Sequence, residues 1–133
     1  MNDIKIKIID GLNKNSDVYF QLEKDKENIG KIFLKNLDWI NRSTEVIFNI
    51  SNQYLEDSLK LLMKQSFEFL NLNRIYIKVP EYEKDKIEIL KGCGFLKEGL
   101  ERQGIFFKGK FWDLLCFSIL AEEYWRLSEN FEK

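Results

Sequence analysis

Apolar and polar residues alternate from the start of the chain. Ile4, Ile6 and Ile8 are separated by Lys5 and Lys7, the period of a strand with one buried face, and a strand is expected over 4–9. A turn is expected over 11–16. Val18, Phe20 and Leu22 then share one face, with Tyr19 and Gln21 on the other. The polar run LEKDKENIG, closed by Asn28 and Gly30, predicts a hairpin connection. The return strand is expected over 29–37, a second connection over 38–42, and a further strand over 44–50 with Val46, Phe48 and Ile50 on one side.

The period then changes. Leu55, Leu59, Leu62, Met63, Phe67 and Leu70 recur at helical spacing. Ser51 or Asn52 can cap this helix, and Glu56 and Asp57 are expected at its positive end. Asn71 to Asn73 end it. RIYIKV predicts a short strand over 74–79 that Pro80 stops. A second helix is expected over 85–91 with Ile87, Ile89 and Leu90 buried, and Gly92 and Gly94 supply a positive-φ exit. Two strands follow, joined by the basic turn Lys108-Gly109-Lys110, then a helix over 121–127 and a polar tail over 128–133. The order β-β-β-β-α-β-α-β-β implies a mixed α/β sheet covered by helices. The two strands around the first helix should run parallel, since the crossover is long enough.

Composition narrows the chemistry. A chain of 133 residues fits one domain over 1–133, and eleven Phe, five Tyr and three Trp suffice for its core. A net charge of −1 gives no general attraction to nucleic acid or to an anionic membrane. No apolar run approaches the roughly 20 residues that span a bilayer, so a cytoplasmic protein is expected, with no nucleic-acid or membrane partner. The absence of histidine removes Ser-His-Asp, Cys-His and HExxH chemistry, and no metal site is expected. Proton transfer falls to Glu, Asp, Tyr, Lys, Cys or water. Cys93 and Cys116 form no CxxC pair. Apolar neighbours suggest a core position for Cys116, and the flanking glycines a more open one for Cys93.

Three segments resemble a known family. IGKIFLKNLDWINRSTEVIFNI is similar to the second hairpin of GNAT N-acetyltransferases, in the branch of ribosomal-protein and spermidine N-acetyltransferases, with Glu45 as the acidic residue opening the fourth strand. FEFLNLNRIYIKV resembles that branch's third helix and fifth strand. ILKGCGFLKEGLERQGIFFKGKFWDLL resembles its ending, through Gly94-Phe95, Glu98-Gly99, Arg102, Gly109 and Asp113 in order. The likeness covers residues 18–127.

The resemblance implies a GNAT-like acyl-CoA N-acyltransferase fold: a mostly antiparallel sheet with one parallel pair, β4/β5, flanked by helices. It implies acetyl-CoA in a V-shaped gap between those two strands and an amine acceptor, small molecule or peptide. Phe48, Asn49 and Ile50 would meet the thioester through their backbone, with Tyr54 also on the cofactor side. Glu45 would act as or orient a general base; otherwise it is an exposed strand residue paired with a lysine. Arg102, Trp112 and Asp113 would line the acceptor side; otherwise Arg102 and Asp113 form a structural salt bridge.

The chain also departs from the family. SNQYLEDSL stands where a glycine-rich phosphate loop is expected and contains no glycine. Glu56 and Asp57 would there repel a pyrophosphate. Only 17 residues precede Val18, too few for the family's first strand and two helices. Glu83 occupies the position of a cofactor-binding Asn, and Leu90 that of a thiolate-protonating Tyr. These departures support an alternative: a catalytically degenerate GNAT-like binding or regulatory module. The aromatic surplus at Phe106, Phe107, Phe111, Trp112, Tyr124 and Trp125 is expected either to pack locally or to cover an open face in a homodimer.

Overall fold

The structure, a computed structural model, describes residues 4–8 and 18–131. The turn expected over 11–16 lies outside the described residues. The alternating segments form strands: β1 (Ile4–Ile8), β2 (Val18–Lys24), β3 (Glu27–Asp38) and β4 (Ser43–Ile50). The helical period gives α1 (Asn52–Lys64), which runs on as a π-helical turn (Gln65–Phe69). Then come β5 (Arg74–Pro80), α2 (Lys84–Gly92), β6 (Leu96–Phe107), β7 (Lys110–Leu120) and α3 (Ala121–Phe131). The strands make one sheet in the order β1-β2-β3-β4-β5-β7-β6. Every pairing is antiparallel except β4 with β5.

One face of this sheet makes the core. Val18, Phe20 and Leu22 lie beside Leu34 and Ile32. Val46 continues the row on β4, and Ile75, Ile77, Phe117 and Ile119 carry it across β5 and β7. Leu55, Leu59, Leu62 and Met63 of α1, Phe67 of the π-helical turn, and Ile87 and Leu90 of α2 close over this face. Tyr124 and Leu127 of α3 pack against the same cluster. The strand period of two then fixes the other face: Tyr19, Phe33, Glu45, Ile47, Tyr76 and Cys116 point away from all three helices and stay half-buried.

Several expectations need correction. The polar LEKDKENIG is not a long connection. Its ends belong to β2 and β3, joined by Asp25 and Lys26 alone, both in left-handed geometry (φ 53° and 70°), as a two-residue primed turn requires. Pro80 ends β5 from within, and Gly92 is ordinary helix; the positive-φ exit belongs to Gly94 (φ 99°). The expected polar tail over 128–133 is helical as far as 131, because α3 continues. Cys93 is buried, with its Sγ 4.0 Å from the carbonyl oxygen of Glu56, whereas Cys116 is half-exposed on the open face. That reverses the expected environments, and both thiols are free.

Candidate functional site

The parallel pair supplies the site. β4 and β5 are in register only over Ser43 with Arg74, Thr44 with Ile75, and Glu45 with Tyr76. Beyond Glu45 they part, while β4 stays paired to β3 as far as Ile50 and β5 stays paired to β7 as far as Pro80. In an antiparallel ladder every second residue directs its N–H away from its partner strand. On β4 beyond Glu45 those N–H groups face the gap. A cavity of 190 Å³ lies there, walled by Val46, Ile47, Phe48, Ile77 and Val79, with Lys78, Glu83 and Lys86 at its rim. Lys86 Nζ pairs with Glu83 at 2.8 Å. A larger cavity of 400 Å³ lies between α1 and α3, against Met63, Cys93 and Leu127. It stands on the helix side, away from Glu45 and the parted strands.

β4 leads directly into α1. Ser51 precedes the helix in extended geometry and makes no side-chain cap; its carbonyl accepts from the Tyr54 N–H at 3.0 Å, which leaves the N–H groups of Asn52 and Gln53 available in the first turn. The first turn carries no acidic residue. Glu56 and Asp57, expected at this positive end, sit one turn deeper, and Glu56 faces Lys60 at 4.0 Å. Lys24 of β2 stacks here, 5.4 Å above the Tyr54 ring. Gly30 of β3 lies opposite Ile50. A Cβ there would stand 2.7 Å from Asn49 O and from Ile50 Cγ1, so only glycine permits this approach at the end of β4.

On the open face, Glu45 is directly opposite Tyr76. Burial first, then the Glu45 charge, pushes the Tyr76 phenol above its ordinary pKa, so it stays protonated. Arg74 stacks on the Tyr76 ring at 4.4 Å and binds Glu98 at 2.6 Å. Lys78 binds Glu101 at 2.9 Å, and that hydrogen bond raises its pKa. A hydrogen bond with Ser118 and then Arg74 hold the Glu98 carboxyl below the usual range. Burial raises the Cys116 thiol.

The expected acceptor-side residues sit on the β6–β7 hairpin, beside the end of β5. Glu81 N–H donates to Asp113 O at 3.0 Å. The Asp113 carboxylate accepts from the Gln103 N–H at 3.0 Å, and no ion pair joins it to Arg102. The expected salt bridge is replaced by a bulge: β6 shifts register between Glu101 and Ile105, and Gln103 takes φ 50°. Trp112 donates from Nε1 to Phe107 O at 2.9 Å, meets Tyr82 edge-on, and carries Lys110 over its ring at 3.9 Å. Glu45, Phe48, Asn49, Ile50 and Tyr54 thus follow one line along β4 into α1, and Arg102, Trp112 and Asp113 form a separate group. Sequence reasoning missed Arg74, Tyr76 and Lys78. Their signal was the alternation of RIYIKV, whose polar positions had to face whatever Glu45 faces.

Among the described residues no group of three or more Cys, Asp or Glu could hold a metal ion, and no helix is long and apolar enough to cross a membrane. A mostly antiparallel sheet that parts at its one parallel pair, with a helix rising from the parting, is the acyl-CoA N-acyltransferase fold. No family model matches the chain, but individual relatives do. YdaF of Bacillus subtilis, whose name proposes a ribosomal N-acetyltransferase, is 31% identical over 100 residues, covering 71% of this chain and 55% of that protein. Spermidine N(1)-acetyltransferase of Vibrio cholerae is 27% identical over 124 residues, covering 89% of this chain and 72% of that one. A crystal structure of the Vibrio cholerae spermidine N-acetyltransferase with CoA and spermine superposes with a TM-score of 0.78 at 26% identity, over 84% of this chain and 69% of that chain. This chain belongs to the GNAT family of N-acetyltransferases. It spans little more than half the length of YdaF.

Proposed function

We propose that this chain transfers an acetyl group from acetyl-CoA to an amine. The observation that carries the reading is the parting of β4 and β5 immediately after Glu45 and Tyr76. It leaves a lined gap with unshared backbone donors at one end and a carboxylate at the other. The donors of 46–50 suit a thioester carbonyl, whose oxygen gains charge on attack. Bound acetyl-CoA supplies the activated acyl group. Phe48, Asn49 and Ile50 offer the backbone that holds it. The bare first turn of α1 beside Tyr54, with Lys24 above, offers N–H groups and positive charge to its phosphates. Glu45 holds the acceptor ammonium and takes its proton, so that the neutral amine attacks. The hairpin residues Arg102, Trp112 and Asp113 flank the acceptor's approach. One domain over 1–133 carries all of this.

Isothermal titration with acetyl-CoA tests the reading, followed by thiol-release assays with spermidine, a peptide amine and an aminoglycoside. Binding together with turnover that falls in E45Q supports it. An absence of binding heat overturns it in favour of the degenerate module. Self-association through the exposed ring pair Phe106 and Phe111, 5.0 Å apart, is the accompanying expectation. Light scattering should show a mass that falls in F106S/F111S, and a constant monomer mass removes it.

A further inference from the structure

Glu45 is surrounded by cations that do not touch it. On β5, Arg74 and Lys78 lie two residues either side of Tyr76 and share its face, so they are the diagonal neighbours of Glu45. Lys78 stands where the strands have begun to part, yet near enough for the Glu45 charge to raise its pKa. Lys35 of β3 is directly opposite. Yet no ion pair or hydrogen bond joins the Glu45 side chain to any described residue. Both β5 cations are drawn the other way, across β7, to carboxylates of β6: Arg74 to Glu98 at 2.6 Å and Lys78 to Glu101 at 2.9 Å. The backbone is shaped for this. β6 shifts register between Lys97 and Gly99, a bulge that re-aims Glu98. Gly99, opposite Cys116, leaves open space where a side chain would stand between the two pairs.

We infer that Glu98 and Glu101 are positioning residues that hold Arg74 and Lys78 off Glu45 and so reserve its carboxylate for an incoming ammonium. The inference rests on the proposed role of Glu45. The groups facing Glu45 are Lys35 from β3, Arg74, Tyr76 and Lys78 from β5, and Cys116 from β7. Tyr76 and Cys116 are held neutral by burial, so the cations decide its charge environment. If Glu101 loses its charge, Lys78 turns to the nearest remaining carboxylate. Glu45, whose charge Lys78 already feels, then becomes its partner.

The test is a carbon-13 titration of the Glu45 side-chain carboxyl in ligand-free protein. In E101Q its pKa should fall by about one unit, as for a carboxylate gaining a close cation. In K78M/E101Q it should return to the wild-type value. Acetylation provides a second readout: kcat/KM for a cationic amine should fall in E101Q. A structural role for Glu101 would predict no return of the Glu45 pKa, since the double variant lacks the same ion pair. An unchanged Glu45 titration in E101Q, or a shift that persists in K78M/E101Q, overturns the inference. The titration needs no acetyl-CoA, so a wild-type protein that acetylates nothing refutes the acetyltransferase reading without deciding whether Lys78 moves.

Discussion

Glu45 and Tyr76 are the last directly opposed residues of β4 and β5, and they stand on the face that the helices leave open. The carboxylate therefore lies where the sheet stops being continuous. An amine held by Glu45 is poised beside the backbone donors of the next residues of β4. In the proposed reaction the base and the oxyanion donors come from a single strand, so their spacing is set by strand geometry rather than by loops.

Filling the gap should abolish cofactor binding without unfolding the protein. Ile47 lines the cavity and is half-exposed. Ile47→Trp should remove the acetyl-CoA binding heat while thermal unfolding stays within a few degrees of wild type, since half-exposed positions tolerate added volume. Retained affinity would place the cofactor elsewhere.

Gly30 should not tolerate a side chain. Gly30→Val sets a Cβ against the Asn49 carbonyl and the Ile50 side chain, both 2.7 Å away. Overpacking of this kind costs about 1–3 kcal/mol. Urea unfolding should report that loss, and acetyl-CoA affinity should fall with it because the end of β4 is displaced.

Phe117 is fully buried on β7, opposite Ile77. Phe117→Ala should cost about 3–5 kcal/mol, measured by the same unfolding experiment. A loss below about 1 kcal/mol would mean that the core had collapsed around the missing ring.

Cys93 links stability to alkaline pH. Burial first, then the nearby Glu56 charge, pushes its thiol up to about 11 from 9.0. Between those values the unfolded chain has lost the proton and the folded chain has kept it, so the folded state binds more protons and stability falls as pH rises. The loss should run from about pH 9 to 11 and be smaller in C93A, as followed by urea midpoints. In native protein near neutral pH, Cys93 should react with an aromatic disulfide reagent far more slowly than it does in urea.

Much of this architecture is legible in the sequence because its strands bury one face. Val18, Phe20 and Leu22, or Val46 and Ile50, announce themselves by period alone. The resemblance singled out Glu45 and the line from Phe48 to Tyr54 as candidates. What stayed hidden depends on backbone irregularity and on contacts between distant residues. Nothing in ERQG shows that Gln103, rather than Arg102, meets Asp113; that follows from a bulge. Arg74 and Glu98 are far apart in sequence, and only the insertion of β7 between β5 and β6 sets the distance their side chains bridge. α1 begins at Asn52, as a cap at Ser51 implies, yet Glu56 and Asp57 fall in its second turn rather than its first, and that turn decides whether they oppose a phosphate.

The strand order has a consequence for how the gap comes into being. β5 is held to β4 only at its first residues, but to β7 along its whole length. One wall of the gap is built from residues 46–50. The other is fixed by a strand more than thirty residues further on. Contacts of such separation form late, after the loop between them has been closed. During synthesis β1 to β4 and α1 emerge first, and β5 gains its second neighbour only when 110–120 have left the ribosome. Glu98 and Glu101 arrive just ahead of that strand. A chain stopped before β7 would keep Glu45 and the donors of β4 and lack the far wall they work against, so any binding competence comes with the last strand of the sheet.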